Sequence, residues 1–213
     1  MEKFRYSGAA WAKSGALDQV EIISQWSSRN IGAADSEKVP SDIAYDKYGK
    51  PEKWGFGLSS NDSPLRWAKL LLTRCSLENM PSTNERVLDA TRMMLKEMEI
   101  TPIDAIADYL RFLWKHIMER LRVRLTQAVL DNMIFKIVLT IPAIWDHRAQ
   151  ENMRLAAKRA GLLRDRPCGK TELTLAAEPA AAALATYIDA GLRSNPRRRE
   201  AKVSLVSFPR ARR

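Results

Sequence analysis

Apolar residues along the chain change their spacing near residue 101, and the change separates two kinds of structure. Before it, short β-branched and aromatic runs alternate with polar connections, which predicts strands. Ser7 to Ala12 is small and apolar, Val20 to Trp26 is β-branched and aromatic, and a Ser-, Asn-, Gly- and Asp-rich loop covers 27–37. Val39 to Tyr45 follows, then the turn signal Lys47-Tyr48-Gly49-Lys50-Pro51 and the short run Lys53 to Phe56. These segments predict an antiparallel meander. Residues 64–73 predict a short helix, Met80-Pro81-Ser82-Thr83 a turn, and 85–97 holds helix formers without a clean apolar stripe.

From residue 101 the period is helical. Thr101 is placed to cap, Pro102 to occupy the first helical position, and Asp104 stands three residues after the cap. Ile103, Ile106, Leu110, Leu113, Ile117, Leu121 and Leu125 then recur on one face, predicting a helix to about residue 128. Ile134 to Ile141 predicts a buried strand stopped by Pro142. Asp146 opens a second helix that Gly161 ends, Glu172 to Ala177 predicts another strand, and Pro179 starts an alanine-rich helix to about Tyr187. Strands alternating with helices imply parallel pairing through a right-handed crossover. The whole reads as an α/β, RNase-H-like half: a three-stranded antiparallel meander followed by α-β-α-β-α. It spans residues 1–191. Residues 192–213 read as a basic, mostly disordered tail, with one possible short strand over Val203 to Phe208 that has no following element to lead into.

Composition fits a packed chain: 46% hydrophobic and 28% charged residues in 213. The net charge of +10 invites a nucleic-acid reading, but its placement weakens that reading. Arg193 to Arg213 carries seven Arg, one Lys and one Glu, a net +7, so the first 192 residues hold only +3. The arginine run at 197–199 has no aromatics interleaved with it, and such a run is more often a solvated terminus than a phosphate-binding strip. Two cysteines, Cys75 and Cys168, make no disulfide framework and suggest a reducing compartment. No apolar run reaches the ~18–20 residues that span a bilayer, and no secretory leader follows Glu2, Lys3 and Arg5. A cytoplasmic protein is expected, in which the sequon at Asn61 means nothing.

Several motifs fail on their chemistry. Gly169-Lys170-Thr171 ends like a phosphate-binding loop, but position 164 is Arg164 where that loop needs glycine, and Thr171 leads into a strand rather than a helix. His116 and His147 are far apart with no Cys or carboxylate at ligand spacing, so no metal site is predicted. No G-x-S-x-G elbow is present.

More informative is a set of segments in fixed order. Tyr6-Ser7-Gly8-Ala9-Ala10-Trp11-Ala12 precedes Lys38-Val39-Pro40-Ser41-Asp42-Ile43-Ala44-Tyr45, Trp54-Gly55-Phe56 and Leu65-Arg66-Trp67-Ala68-Lys69-Leu70-Leu71-Leu72. Ile137 to Trp145, Ala156 to Leu162 and Leu175 to Leu184 complete it. Over roughly residues 6–187 this order resembles the nucleotide-binding domain of the 70-kDa heat-shock chaperones, in the divergent branch common in filamentous fungi. The resemblance implies an actin-like ATPase fold, in which two RNase-H-like lobes hold ATP or ADP with Mg²⁺ between them. It implies that Lys69 is the catalytic lysine that orients the attacking water and offsets γ-phosphate charge. It implies that Glu178 is the acidic residue near the metal-bound water, and that Tyr6 ends the first phosphate loop. Alone, Lys69 reads as an exposed helical lysine and Glu178 as the carboxylate ending a strand. The ordered company of the other segments favours the site reading.

The sequence also departs from the family. Its first phosphate loop runs D-x-G-T-T or D-x-G-T-S, where this chain has Met1-Glu2-Lys3-Phe4-Arg5. The Asp, the Gly and the hydroxyls are gone, and with them the close backbone approach to phosphate. Asp189-Ala190-Gly191-Leu192 only echoes the second loop, D-x-G-G-G-T. The second lobe and any peptide-binding domain are missing, as a truncated or frame-shifted gene would leave them. The expectation is a chaperone-like nucleotide-binding lobe with weak or absent hydrolysis, meeting unfolded clients or co-chaperones. The alternative is a non-enzymatic interaction module exposing the face that met the second lobe. Nucleic-acid binding through the tail ranks last, and a membrane partner is not expected.

Overall fold

The computed structural model describes residues 6–14, 16, 19–26, 35–73, 82–191 and 203–205. The amino-terminal part holds six short strands: β1 (Tyr6–Ser7), β2 (Ala10–Trp11), β3 (Glu21–Ile22), β4 (Val39–Pro40), β5 (Ile43–Tyr45) and β6 (Pro51–Trp54). They pair antiparallel as predicted, but as three two-stranded ladders, β1–β4, β2–β3 and β5–β6, rather than one continuous three-stranded meander. Gly8 and Ala9 interrupt the first strand between β1 and β2, so its two halves take different partners.

The short helix predicted over 64–73 is not formed as such. Leu65 is extended and exchanges backbone hydrogen bonds with Ile43, at 2.8 and 3.3 Å. The chain then turns through Trp67 in the left-handed region (φ 58°, ψ 22°) before a tight 3-10 segment at Ala68–Leu72. Extended Leu65 and left-handed Trp67 confine the helical turn to Ala68–Leu72, so no single helix covers 64–73.

Helix α1 (Ser82–Glu97) begins where the Pro81-Ser82-Thr83 turn was expected. Its buried face is one residue wide, Leu88, Thr91 and Leu95, which explains the missing stripe in the sequence. Thr91 is tolerated there because its hydroxyl donates to the Arg66 carbonyl at 2.8 Å. Helix α2 (Pro102–Arg124) starts as predicted: the Thr101 hydroxyl accepts the Asp104 N–H at 3.2 Å and Pro102 follows the cap. It stops earlier than predicted. Thr126 accepts the N–H of Val129 and starts a separate short helix, α3 (Gln127–Asp131), a local side-chain bond that outcompetes continuation.

Strand β7 (Lys136–Ile141) is buried from Ile137 onward. Helix α4 (His147–Arg159) crosses from it to β8 (Glu172–Ala177), and the two strands pair in parallel from Lys136↔Glu172 to Ile141↔Ala177. Asp146 caps α4 by accepting the Ala149 N–H at 2.8 Å, and Gly161 turns away from its end at φ +84°. Helix α5 (Glu178–Gly191) follows β8 directly. Strand β9 (Val203–Leu205) lies parallel to β7 on its other edge, so the sheet order is β8-β7-β9. The rest of the segment expected to be a disordered tail, and Cys75, lie outside the described residues. No helix among the described residues is long and apolar enough to cross a membrane.

One core joins both parts. The inner face of α2 (Ala105, Ile106, Leu110, Leu113, Ile117, Leu121) meets β7 through Ile137 and Leu139, and α4 through Met153, Ala156 and Ala157. Toward the ladders, α2 presents Tyr109, Phe112 and His116 to Trp26 and Trp54, with His116 stacked on Trp26 at a 4.8 Å centroid separation. Aromatic pairing of this kind contributes beyond its burial and fixes the angle between the layers.

Candidate functional site

The carboxyl ends of β7 and β8 lie side by side, and open α/β sheets place ligands at such ends. The register puts Ile141 opposite Ala177, so Glu178 emerges one residue beyond the pair, in the first turn of α5. A carboxylate there is favoured by the helix dipole. Lys69, in the 3-10 segment, reaches the same place. Its ammonium donates to Glu178 Oε1 at 3.4 Å and to the Thr140 carbonyl at 3.3 Å, and stands 5.5 Å from the centre of the Trp145 ring.

The lysine side chain is 24% exposed and the glutamate 16%. Burial pushes the Lys69 ammonium below its ordinary lysine value, and the Glu178 carboxylate opposes that shift. At 3.4 Å the contact is longer than the ~2.7–2.9 Å of a tight charge-assisted bond. Neither partner is readily removed alone, because the other would be left largely buried and uncompensated.

Tyr6 belongs to the same neighbourhood. Its strand pairs Tyr6 with Pro40 and Ser7 with Val39, and Tyr6, Ser7 and Gly8 line a cavity of about 90 Å³ that Lys69 and Thr140 also border. The structure thus brings Lys69 and Glu178 into direct contact and sets Tyr6 on a cavity wall shared with Lys69. Glu178 is not on that wall. Much of the remaining lining is aliphatic, with Ile43, Leu65, Ile106, Leu110, Leu113 and Leu139, and Lys69 is its only cation, so the cavity does not suit a chain of charged phosphates.

Three contributors were not singled out from the sequence. The Thr140 carbonyl and the Trp145 ring lie within the Ile137 to Trp145 segment, but a backbone acceptor leaves no residue-type signal. Trp67 carries none either, because the left-handed turn that aims it is set by Leu65 pairing with Ile43.

The donor set suits a phosphate oxygen better than a metal ion. It offers one ammonium and hydroxyls at Ser7 and Ser41, but a single carboxylate already engaged by Lys69. Among the described residues no group of three His, Cys, Asp or Glu is placed to hold a metal, so no step is assigned to Mg²⁺ here. His116 is buried in the aromatic layer, and His147 is the first residue of α4. Gly169 and Arg166 close a turn before Glu172 opens β8, so Gly169-Lys170-Thr171 runs into a strand.

No protein-family model matches the sequence, and no curated protein matches it significantly.

Proposed function

We propose that this chain is an RNase-H-like half of an actin-like ATPase of the 70-kDa heat-shock chaperone type, a cytoplasmic nucleotide-binding lobe that hydrolyses ATP weakly or not at all. One observation carries the reading: Lys69 and Glu178, 109 residues apart, meet at the carboxyl ends of parallel strands. In this role the ammonium offsets phosphate charge and the carboxylate, freed from it, holds a water in line. Turnover is weak because the amino-terminal residues lack the Asp and Gly of a phosphate loop, and one engaged carboxylate does not organise a metal.

Calorimetry with ATP and Mg²⁺ on the folded chain tests it. Saturable heat is expected, weakened about ten- to hundredfold in Lys69→Ala by the loss of a charge-assisted hydrogen bond, with no turnover above background. No heat from a folded chain overturns the nucleotide reading. Turnover lost in Lys69→Ala overturns the claim of weak hydrolysis. A second reading, a protein-interaction module, is favoured by Ile144 and Leu184, 68% and 59% exposed on segments that adjoin Trp145 and Glu178. It gains only if the calorimetry is silent.

A further inference from the structure

The sheet order β8-β7-β9 gives β8 a strand partner on one side only among the described residues. One bond fixes which way its backbone groups point. The Glu172 N–H donates to the Phe135 carbonyl at 3.0 Å, and Glu172 stands opposite Lys136 in the parallel register. Backbone groups alternate in direction along a strand, so Glu172, Thr174 and Ala176 turn theirs toward β7. Leu173 and Leu175 turn theirs outward, to an edge that no described strand pairs. Exposed edges are ordinarily blunted by lysine, proline or a bulge. β8 has none of these: it runs six residues in unbroken register, and its one charge, Glu172, is held across the ladder by Lys136 at 3.4 Å. Leu173 and Leu175 are partly buried against the core, while Thr174 is exposed on the opposite face.

Such an edge is completed by a further strand, and β8 is complementary to itself. A closed pair of identical chains has a two-fold axis, which across a shared sheet edge runs the two strands antiparallel. Charge and overlap decide between the registers. Centred on Leu175, the pair sets Glu172 of one copy opposite Glu178 of the other, and like charges directly opposite are destabilising. Centred on Leu173, it leaves Ala176 and Ala177 opposite Lys170 and Gly169, outside the strand. Centred on Thr174, Leu173 of each copy meets Leu175 of the other, and each such pair exchanges two backbone hydrogen bonds. Thr174 then meets itself and Glu172 meets Ala176, both acceptable cross-strand pairs. Lys170 of one copy comes level with Glu178 of the other, opposite charges in place of like.

We propose that β8 is a dimerisation edge: two copies of this chain pair their β8 strands antiparallel about a two-fold axis at Thr174, making one continuous sheet. The pairing needs no nucleotide, and its test does not depend on nucleotide binding. Sedimentation velocity of the full chain from about 5 to about 500 µM should show monomer passing to dimer, as a short interface implies. Hydrogen exchange at the Leu173 and Leu175 amides should slow over the same range. Thr174→Lys sets two ammonium groups face to face on the axis and should weaken the dimer about fivefold. Thr174→Glu should do the same, and an equimolar mixture of the two variants should restore it. A monomer at every concentration overturns the proposal without recourse to any variant, whether those two amides exchange freely or are covered by another part of the chain. So does a dimer indifferent to Thr174→Lys, or a mixture that associates no more strongly than either variant alone.

Discussion

His116 shows how one residue couples burial to pH. It stacks on Trp26 and stands edge-on to Trp54 at 6.1 Å, where its Nε2 finds no partner among the described residues. Burial pushes its pKa below the ordinary histidine value; a hydrogen bond with the Ser24 backbone and the nearby Glu119 oppose this, and Arg120 reinforces it. The unfolded chain therefore binds the proton more readily than the folded one. Between the lowered native value and pH ~6.5, unfolding free energy rises with pH, by at most about 1.4 kcal/mol per pH unit for a single proton. Stability should fall as pH drops through that window, and urea midpoints should show the fall shrinking in His116→Phe. An unchanged acid limb in the variant would assign the loss to other groups. Lys69 follows the same logic at the opposite end of the scale. Its lowered pKa means that the buried ammonium opposes folding at neutral pH.

Elements were legible where a local chemical signal fixed them. Thr101, Pro102 and Asp104 announced α2, Asp146 announced α4, and the run of β-branched residues before Pro142 announced β7; each element starts within two residues of where its signal stands. The misses came from competition that sequence does not display. Thr126 ends the long apolar stripe by capping α3, and Leu65 pairing with Ile43 converts an expected helix into a 3-10 turn. The candidate site divides the same way. Lys69 and Glu178 were legible only through the ordered segments around them, whereas the Trp67 turn depends on a long-range bridge. Because the cap at Asp146 sets where α4 begins, Asp146→Ala should cost about 1 kcal/mol in chemical denaturation. It should also loosen the bond from Asn152 to the Leu72 carbonyl, at 3.3 Å, that ties α4 to the Lys69 segment. Faster hydrogen exchange confined to the first turn of α4 would accompany it; a destabilisation below a few tenths of a kcal/mol would show the cap to be redundant.

At the scale of the whole molecule, the buried strand β7 depends on two neighbours that arrive late in the chain. β8 pairs with all six of its residues, while β9 covers only Ile137, Val138 and Leu139 and is reached across residues 192–202. Ile137 and Leu139 are themselves 1% and 3% exposed, so that edge belongs to the core rather than to the periphery. Remove β9, and a row of backbone donors and acceptors is left unpaired beside apolar side chains, the arrangement that recruits another strand. A chain ending at Gly191 should accordingly self-associate in sedimentation velocity, more strongly at higher concentration than the full-length chain does. That truncation also discards the net +7 of the terminal segment, and lost repulsion alone would favour association. Ser204→Pro separates the two causes: it keeps every charge but takes an N–H out of the middle of β9, where proline is not accommodated. If pairing is what protects the edge, Ser204→Pro should associate like the truncation and raise hydrogen exchange at 137–139. If it sediments like the full-length chain while only the truncation associates, charge is the protecting term and β9 contributes little to closing the sheet.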